Sequence, residues 1–309
     1  MYIPKLKEAK TINVAIETVM PYIDWVFFFR AWGISGRFDG LKNFCNCESC
    51  RQDFLLKNRH LGAAKAKEAL DLYANAISAL ELMQKKKLVS IKAKLMICKA
   101  RSENEGITIA NKDNRIYLPM LRQQHAGERC GCCVSMCDFV SPNEDYVGVF
   151  ALSVKGADEM AEKFKKEGNY YDSILAKSLG DRLAEATSEW LHQKCRKEYW
   201  AYAPDEDYTP EELMRVPYQG IRPAIGYPSI PDLSLIFRVD QLIDLSSVGI
   251  SATENGAMKP NASICGLYIS HPKSFYFMVG KIGDDQLEDY AKRCGRTVEE
   301  TRRWLHNQK

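Results

Sequence analysis

The chain has 309 residues, 46% hydrophobic and 27% charged, with Lys+Arg 43 against Asp+Glu 40 for a net charge of +3. This is ordinary globular composition over a length that can bury a sizeable core, which excludes global disorder, collagen-like repeats and low-complexity fibres. The near-balanced charge gives no strong steering field, and no apolar run approaches the roughly 20 residues needed to cross a bilayer.

The opening MYIPKLKEAK lacks the apolar stretch of a secretory signal. The expectation is a cytoplasmic chain with no membrane or nucleic-acid partner. Residues 1–19 read as an N-terminal arm, with a strand or extended segment at 11–19. In PYIDWVFFFRAW, at 21–32, Pro21 suits a first helical turn, and Trp25, Phe28, Phe29 and Trp32 recur at helical spacing. Asp24 inside this run has two readings: a carboxylate on the N–H groups of a helix start, or a polar contact to a ligand. A cysteine-containing excursion of loop or short helix covers about 37–60. Residues 61–86 form the strongest early helix, with Leu70, Tyr73, Ile77 and Leu80 on its buried side. IKAKLMICKA reads as a strand, and EGITIA with RIYLP as a hairpin around the turn at 111–114.

A strand is expected at about 133–139, followed by YVGVFALSV, the clearest strand of the chain. GADEMAEKF starts a helix. The next helix is long, with an apolar stripe of Leu175, Leu179, Leu183, Ala186 and Trp190. Ser178, Arg182, Glu185 and Glu189 form a polar stripe that reads as solvated. Glu185 is one helical position from the buried stripe, close enough to line a cleft. Thr209, Pro210 and Glu212 form a cap and first turn. QGIRPAIGYPSIPD then carries three Pro and two Gly, which rules out regular helix. It is either a surface crossover or a backbone cradle that presents carbonyls, amides and Arg222 to a ligand. LSLIFRVDQLID is a helix. NASICGLYISHP and SFYFMVGKIG are expected to pair antiparallel, and two helices capped by Asp284 and Thr297 close the chain. Interleaved helices with hairpin-like connections favour α+β over a doubly wound parallel sheet.

There is no GxGxxG, P-loop, HExxH or GxSxG, which weakens dinucleotide, NTP, zincin and hydrolase readings. The ordered set of less common motifs is informative instead. PYIDWVFFFRAW, LRQQ at 121–124, DFV at 138–140, GDRLAEATSEWLH at 180–192 and KEYWAYAPDE at 197–206 come first. IRPAIGYPSIPD at 221–232, TENGAM at 253–258, SHP at 270–272, DQLEDYAKRCG and TVEETRRWL follow. From about 20 to 305 the chain resembles the activation domain of cobalamin-dependent methionine synthase. The resemblance implies an α+β module with a twisted, mainly antiparallel sheet and surrounding helices, spanning 20–309. It implies S-adenosylmethionine as the bound cofactor, with contacts at Asp24, Glu185, Arg222, Ala224, Gly226, Tyr227 and Tyr276. Phe277 is the register alternative to Tyr276.

No catalytic nucleophile is implied in this chain. The methyl group would pass to cobalamin on a partner, a cobalamin-binding methionine synthase subunit served by a flavodoxin-type reductant. The chain lacks a DxHxxG cobalamin-ligand signature and room for the other modules, so it reads as a component of the enzyme rather than a complete one. The alternatives are a regulatory S-adenosylmethionine-binding protein, or a reactivation module for another corrinoid methyltransferase. Lys259, where the family commonly has Trp, and GLYISHP depart from the family pattern on the side expected to meet cobalamin.

The 11 cysteines are odd in number, which argues against a full disulfide framework. Seven lie in two knots outside the family pattern: Cys45, Cys47 and Cys50, then Cys130, Cys132, Cys133 and Cys137. Their thiolates suffice for zinc or an iron–sulfur cluster, but the spacings match neither a zinc ribbon nor a ferredoxin run. Ordinary free thiols are the leading reading.

Overall fold

A computed structural model describes residues 2–41, 44–127 and 129–305. Met1 and residues 306–309, at the ends of the expected arm and domain, lie outside the described residues. The elements in chain order are β1 (Lys10–Val14), α1 (Ile16–Val19), α2 (Trp25–Ala31), α3 (Glu48–Lys57), α4 (Ala63–Lys85), β2 (Ser90–Glu103), β3 (Gly106–Ala110), β4 (Arg115–Pro119) and β5 (Asp145–Lys155). They continue with α5 (Ala157–Lys166), α6 (Tyr170–Lys194), α7 (Pro210–Leu213), α8 (Leu235–Ile243), β6 (Ser251–Ala252), β7 (Met258–Lys259), β8 (Ser263–Tyr268), α9 (Asp284–Cys294) and α10 (Val298–Trp304).

The main sheet runs β4-β3-β2-β5-β8, with β1 also paired to β2. The β2–β3, β3–β4 and β5–β8 pairs are antiparallel, so the fold is α+β as expected. The β3–β4 hairpin closes because Asn111 Oδ1 accepts from the N–H groups of Asp113 and Asn114 at 2.9 and 2.6 Å. No described helix is long and apolar enough to cross a membrane.

The chain divides into two compact units. The larger takes residues up to Asn13, Lys92–Ser153 and those from Thr187 onward; the smaller takes Val14–Ile91 and Val154–Ala186. In the larger unit β5 is buried on both faces, which explains its near-continuous apolar run. Val147, Val149 and Ala151 join Ile236, Val239 and Leu287 in one core. Phe150, between them, stacks instead on Tyr268 at 4.5 Å. The first residues belong here too, since Trp200 Nε1 donates to Tyr2 O at 2.8 Å and Leu6 N–H to Tyr199 O at 2.8 Å.

The smaller unit is helical with an aromatic core. Asp24 is the N-cap of α2, accepting from the N–H groups of Val26 and Phe27 at 2.9 and 3.1 Å. This is the helix-start reading of that residue. Trp25 packs edge-on against Tyr73 at 4.7 Å, and Phe38 stacks on Phe54 at 6.1 Å. Asn58 is fully buried and closes the excursion, accepting from Asp39 N–H at 2.9 Å and donating to Asp39 O and Phe54 O at 2.9 and 2.8 Å.

Four expectations are corrected. Residues 133–139 form no strand; Met136–Phe139 is a 3-10 turn. Its cause is Asp138, which accepts Ser135 N–H at 2.9 Å and a two-pronged contact from Arg122 at 2.6 and 2.7 Å. SFYFMVGKIG makes no ladder with 263–268, which pairs with β5 instead. Its N–H groups are taken elsewhere: Phe277 N–H bonds Ser229 Oγ at 3.2 Å and Val279 N–H bonds Pro228 O at 3.0 Å. Gly283 holds the N-cap of α9, with Asp284 the first helical residue, whereas Thr297 caps α10 as expected. Glu189 is not solvated but 8% exposed.

Candidate ligand-binding site

The Gly- and Pro-rich segment is laid along the free side of β8, the last strand of the sheet. Ile221 N–H bonds Ile269 O at 2.9 Å and the reverse bond is 3.0 Å; Ile225 N–H bonds Cys265 O at 2.9 Å, and Leu267 N–H bonds Pro223 O at 3.0 Å. Gly266 permits this approach, because a Cβ there would stand 2.4 Å from Pro223 O and 2.9 Å from Ala224 Cα. The segment then reverses. Gly226 has φ +87°, its N–H bonds Ile230 O at 2.8 Å, and Ile230 N–H bonds Tyr227 O at 2.8 Å. The backbone of this segment is thereby fixed along the sheet edge, with Arg222 on it.

Arg222 is braced at both ends. Its backbone N–H donates to Tyr276 Oη at 2.9 Å. Its Nη1 donates to Ser188 Oγ at 3.0 Å and its Nη2 to Glu189 Oε2 at 2.8 Å. Tyr227 and Tyr276 leave their rings half open, at 51% and 43% exposure. The Tyr276 hydroxyl itself is tucked against Arg222, and burial raises its pKa. The neighbouring Phe277 is buried against Phe275 and Phe139, at 6.2 and 6.4 Å.

Behind Arg222 lies a buried polar wall that periodicity alone does not reveal. Tyr218 Oη donates to Glu189 Oε2 at 3.4 Å, and the Tyr218 ring carries the Arg196 guanidinium 3.7 Å above it. Arg196, fully buried, holds Glu206 through bonds of 2.6 and 2.7 Å. A π-helical turn at Cys195–Tyr199 ends the long helix here. His192 stacks on Tyr268 at 5.0 Å. Burial and then the charges of Arg196 and Arg222 hold its pKa well below the usual range. Glu189, His192 and Arg196 recur at steps of three and four residues, with Ser188 beside Glu189, a weak signal of one shared helical side.

The structure thus brings Arg222, Ala224, Gly226, Tyr227 and Tyr276 into one loop-and-strand assembly in the larger unit. Asp24 and Glu185 belong to the smaller unit, Asp24 as the cap of α2 and Glu185 half-buried on α6. Of the second cysteine knot, Cys130 and Cys132 are joined as a disulfide, Cys137 is buried, and Cys133 is half-buried. The free-thiol reading fails for that bridged pair, whose spacing of two residues lets the sulfurs meet within one tight turn.

Fold and loop define an α+β module that presents a braced Gly- and Pro-rich loop at a sheet edge. Residues 15–295 match the family described as vitamin B12 dependent methionine synthase, activation domain, and the chain belongs to that family. A solved crystal structure of the MetH reactivation domain bound to AdoHcy is 33% identical to it, covering 99% of this chain and 91% of that chain with a TM-score of 0.86.

Proposed function

We propose that this chain binds S-adenosylmethionine and presents it for the reductive reactivation of cob(II)alamin on a separate cobalamin-bearing subunit of methionine synthase. The observation that carries the reading is the braced Arg222–Tyr227 loop, in a chain 33% identical to a reactivation domain solved with AdoHcy. S-adenosylmethionine held here would supply a methyl cation equivalent to the partner's cobalamin once a flavodoxin-type donor had reduced it, leaving S-adenosylhomocysteine on this chain. The residues of this chain bind and orient. Arg222 engages the ligand carboxylate; a guanidinium has five N–H donors, so this is compatible with its bond to Glu189. Backbone groups of Ala224 and Gly226 read polar edges of the ligand. The half-open rings of Tyr227 and Tyr276 cover its adenosyl part and limit access of water.

Calorimetry should give saturable S-adenosylmethionine binding to the purified chain. Arg222→Ala should weaken it by about 2 kcal/mol, roughly thirtyfold. With a cobalamin-bearing partner and reductant, the cob(II)alamin absorption should disappear as labelled methyl arrives on cobalt. Absence of binding at millimolar ligand sinks the reading. Tight binding with no transfer to any corrinoid protein, under verified reducing conditions, favours the regulatory alternative.

A further inference from the structure

The smaller unit carries a side-chain cluster that methyl-donor binding leaves unused. Cys45 Sγ lies 3.1 Å from Cys47 Sγ and 3.2 Å from Cys50 Sγ, and all three sulfurs fall within 4.8 Å of one another. Cys45 and Cys47 are exposed, and Cys50 is half-buried.

The local chain explains the convergence. Asn46 adopts φ 58°, a left-handed turn that Asn tolerates better than most residues. The turn folds Cys45 back toward the start of α3. Cys47 is the N-cap of that helix, and Cys50 sits in its first turn. Arg51 ties the turn down, donating to Asn46 Oδ1 at 3.0 Å and to Asp71 Oδ1 on α4 at 2.5 Å. The three sulfurs are therefore held on a braced turn rather than on a loose loop.

Cys47 and Cys50 sit at the N-terminus of α3, where free backbone N–H groups favour negative charge. Three thiols cannot satisfy one another by disulfides, since any pair leaves the third unmatched. One soft cation engages all of them. A tetrahedral zinc with Zn–S of about 2.3 Å sets its sulfurs ~3.8 Å apart. The Cys45 sulfur lies 3.1 and 3.2 Å from the other two, short of that value by less than 1 Å, and all three pairs fall within 4.8 Å, so a sub-ångström opening around Cys45 brings its two separations to that value.

We propose that Cys45, Cys47 and Cys50 form a three-thiolate site for one thiophilic d10 cation, Zn(II), with its fourth position open to solvent. Each ligating thiol releases its proton to water on binding. The site is independent of the methyl-donor loop.

The test uses the full chain, reduced, stripped with a chelator and titrated with Zn(II) alone, without S-adenosylmethionine or corrinoid. One tight equivalent is expected, and the triple variant Cys45→Ser, Cys47→Ser, Cys50→Ser should lose one equivalent. Each single Ser variant should weaken binding roughly tenfold or more. X-ray absorption at the zinc edge of the unmodified protein should report a sulfur-dominated shell, a reading that needs no variant to fold. No tight equivalent, unchanged stoichiometry in the triple variant, or a shell dominated by oxygen and nitrogen would each overturn the proposal.

Discussion

Glu189 and Arg222 show how a residue's surroundings change its meaning. A Glu on a helical polar stripe is ordinarily solvated, yet here it accepts Arg222 Nη2 at 2.8 Å and lies 8% exposed. Removing one partner of such a pair leaves a desolvated charge, which costs about 3–5 kcal/mol when burial is complete. Arg222→Ala should therefore lower stability as well as affinity. His192, three residues after Glu189, is the wall's pH-sensitive member. It is fully buried and faces Arg196, Arg222, Tyr202, Tyr218 and Tyr268. Its pKa is lowered in the folded chain, whereas the unfolded chain takes up a proton below about pH 6.5. The unfolded state then binds more protons, so stability is full above about pH 6.5 and falls as pH drops below it. His192→Phe keeps a stacked ring and cannot titrate. The thermal midpoint of the unmodified chain should fall relative to that variant between about pH 7 and pH 5; parallel profiles would remove His192 from the account.

At the scale of elements, the contact of β8 with the loop is decisive. Five residues of irregular chain are held by backbone bonds to a strand, which allows little play. The nearest obstacle to a side chain at Gly266 is the Pro223 carbonyl at 2.4 Å, a backbone atom that cannot rotate away. Gly266→Ala should therefore lift the loop, destabilise the protein by about 1–3 kcal/mol and weaken S-adenosylmethionine binding. Thermal unfolding and calorimetry on the same preparation would check both effects. Unchanged binding would show that the loop geometry at 221–226 does not set affinity.

For the whole molecule, family membership over residues 15–295 defines what the chain is expected to do without a partner. Its matched length corresponds to 91% of a solved reactivation domain. The 309-residue chain given homocysteine and methyltetrahydrofolate should accordingly form no methionine. S-adenosylmethionine should still raise its thermal midpoint, because a ligand bound only by the folded state stabilises by about 2.7 kcal/mol at a hundredfold excess over Kd. Turnover by the chain alone would overturn the modular reading.

Much of the fold was legible in the sequence because it rests on local regularities. The stripe through Leu175, Leu179 and Leu183 announced α6, the Asn turn announced the hairpin of β3 and β4, and Thr297 announced its helix. The motif order also carried the family and pointed to the segment containing Arg222, Ala224, Gly226 and Tyr227. Other features were decided only when distant residues met. Residues 136–139 turn because Arg122 holds Asp138, and 277–279 leave the sheet because Ser229 and Pro228 take their N–H groups. Glu189 is buried because Arg222, 33 positions away, supplies its counter-charge. Periodicity reports which face of an element is apolar. It does not name the partner across that face, because partners are selected by packing and by pairing of buried polar groups far apart in the chain.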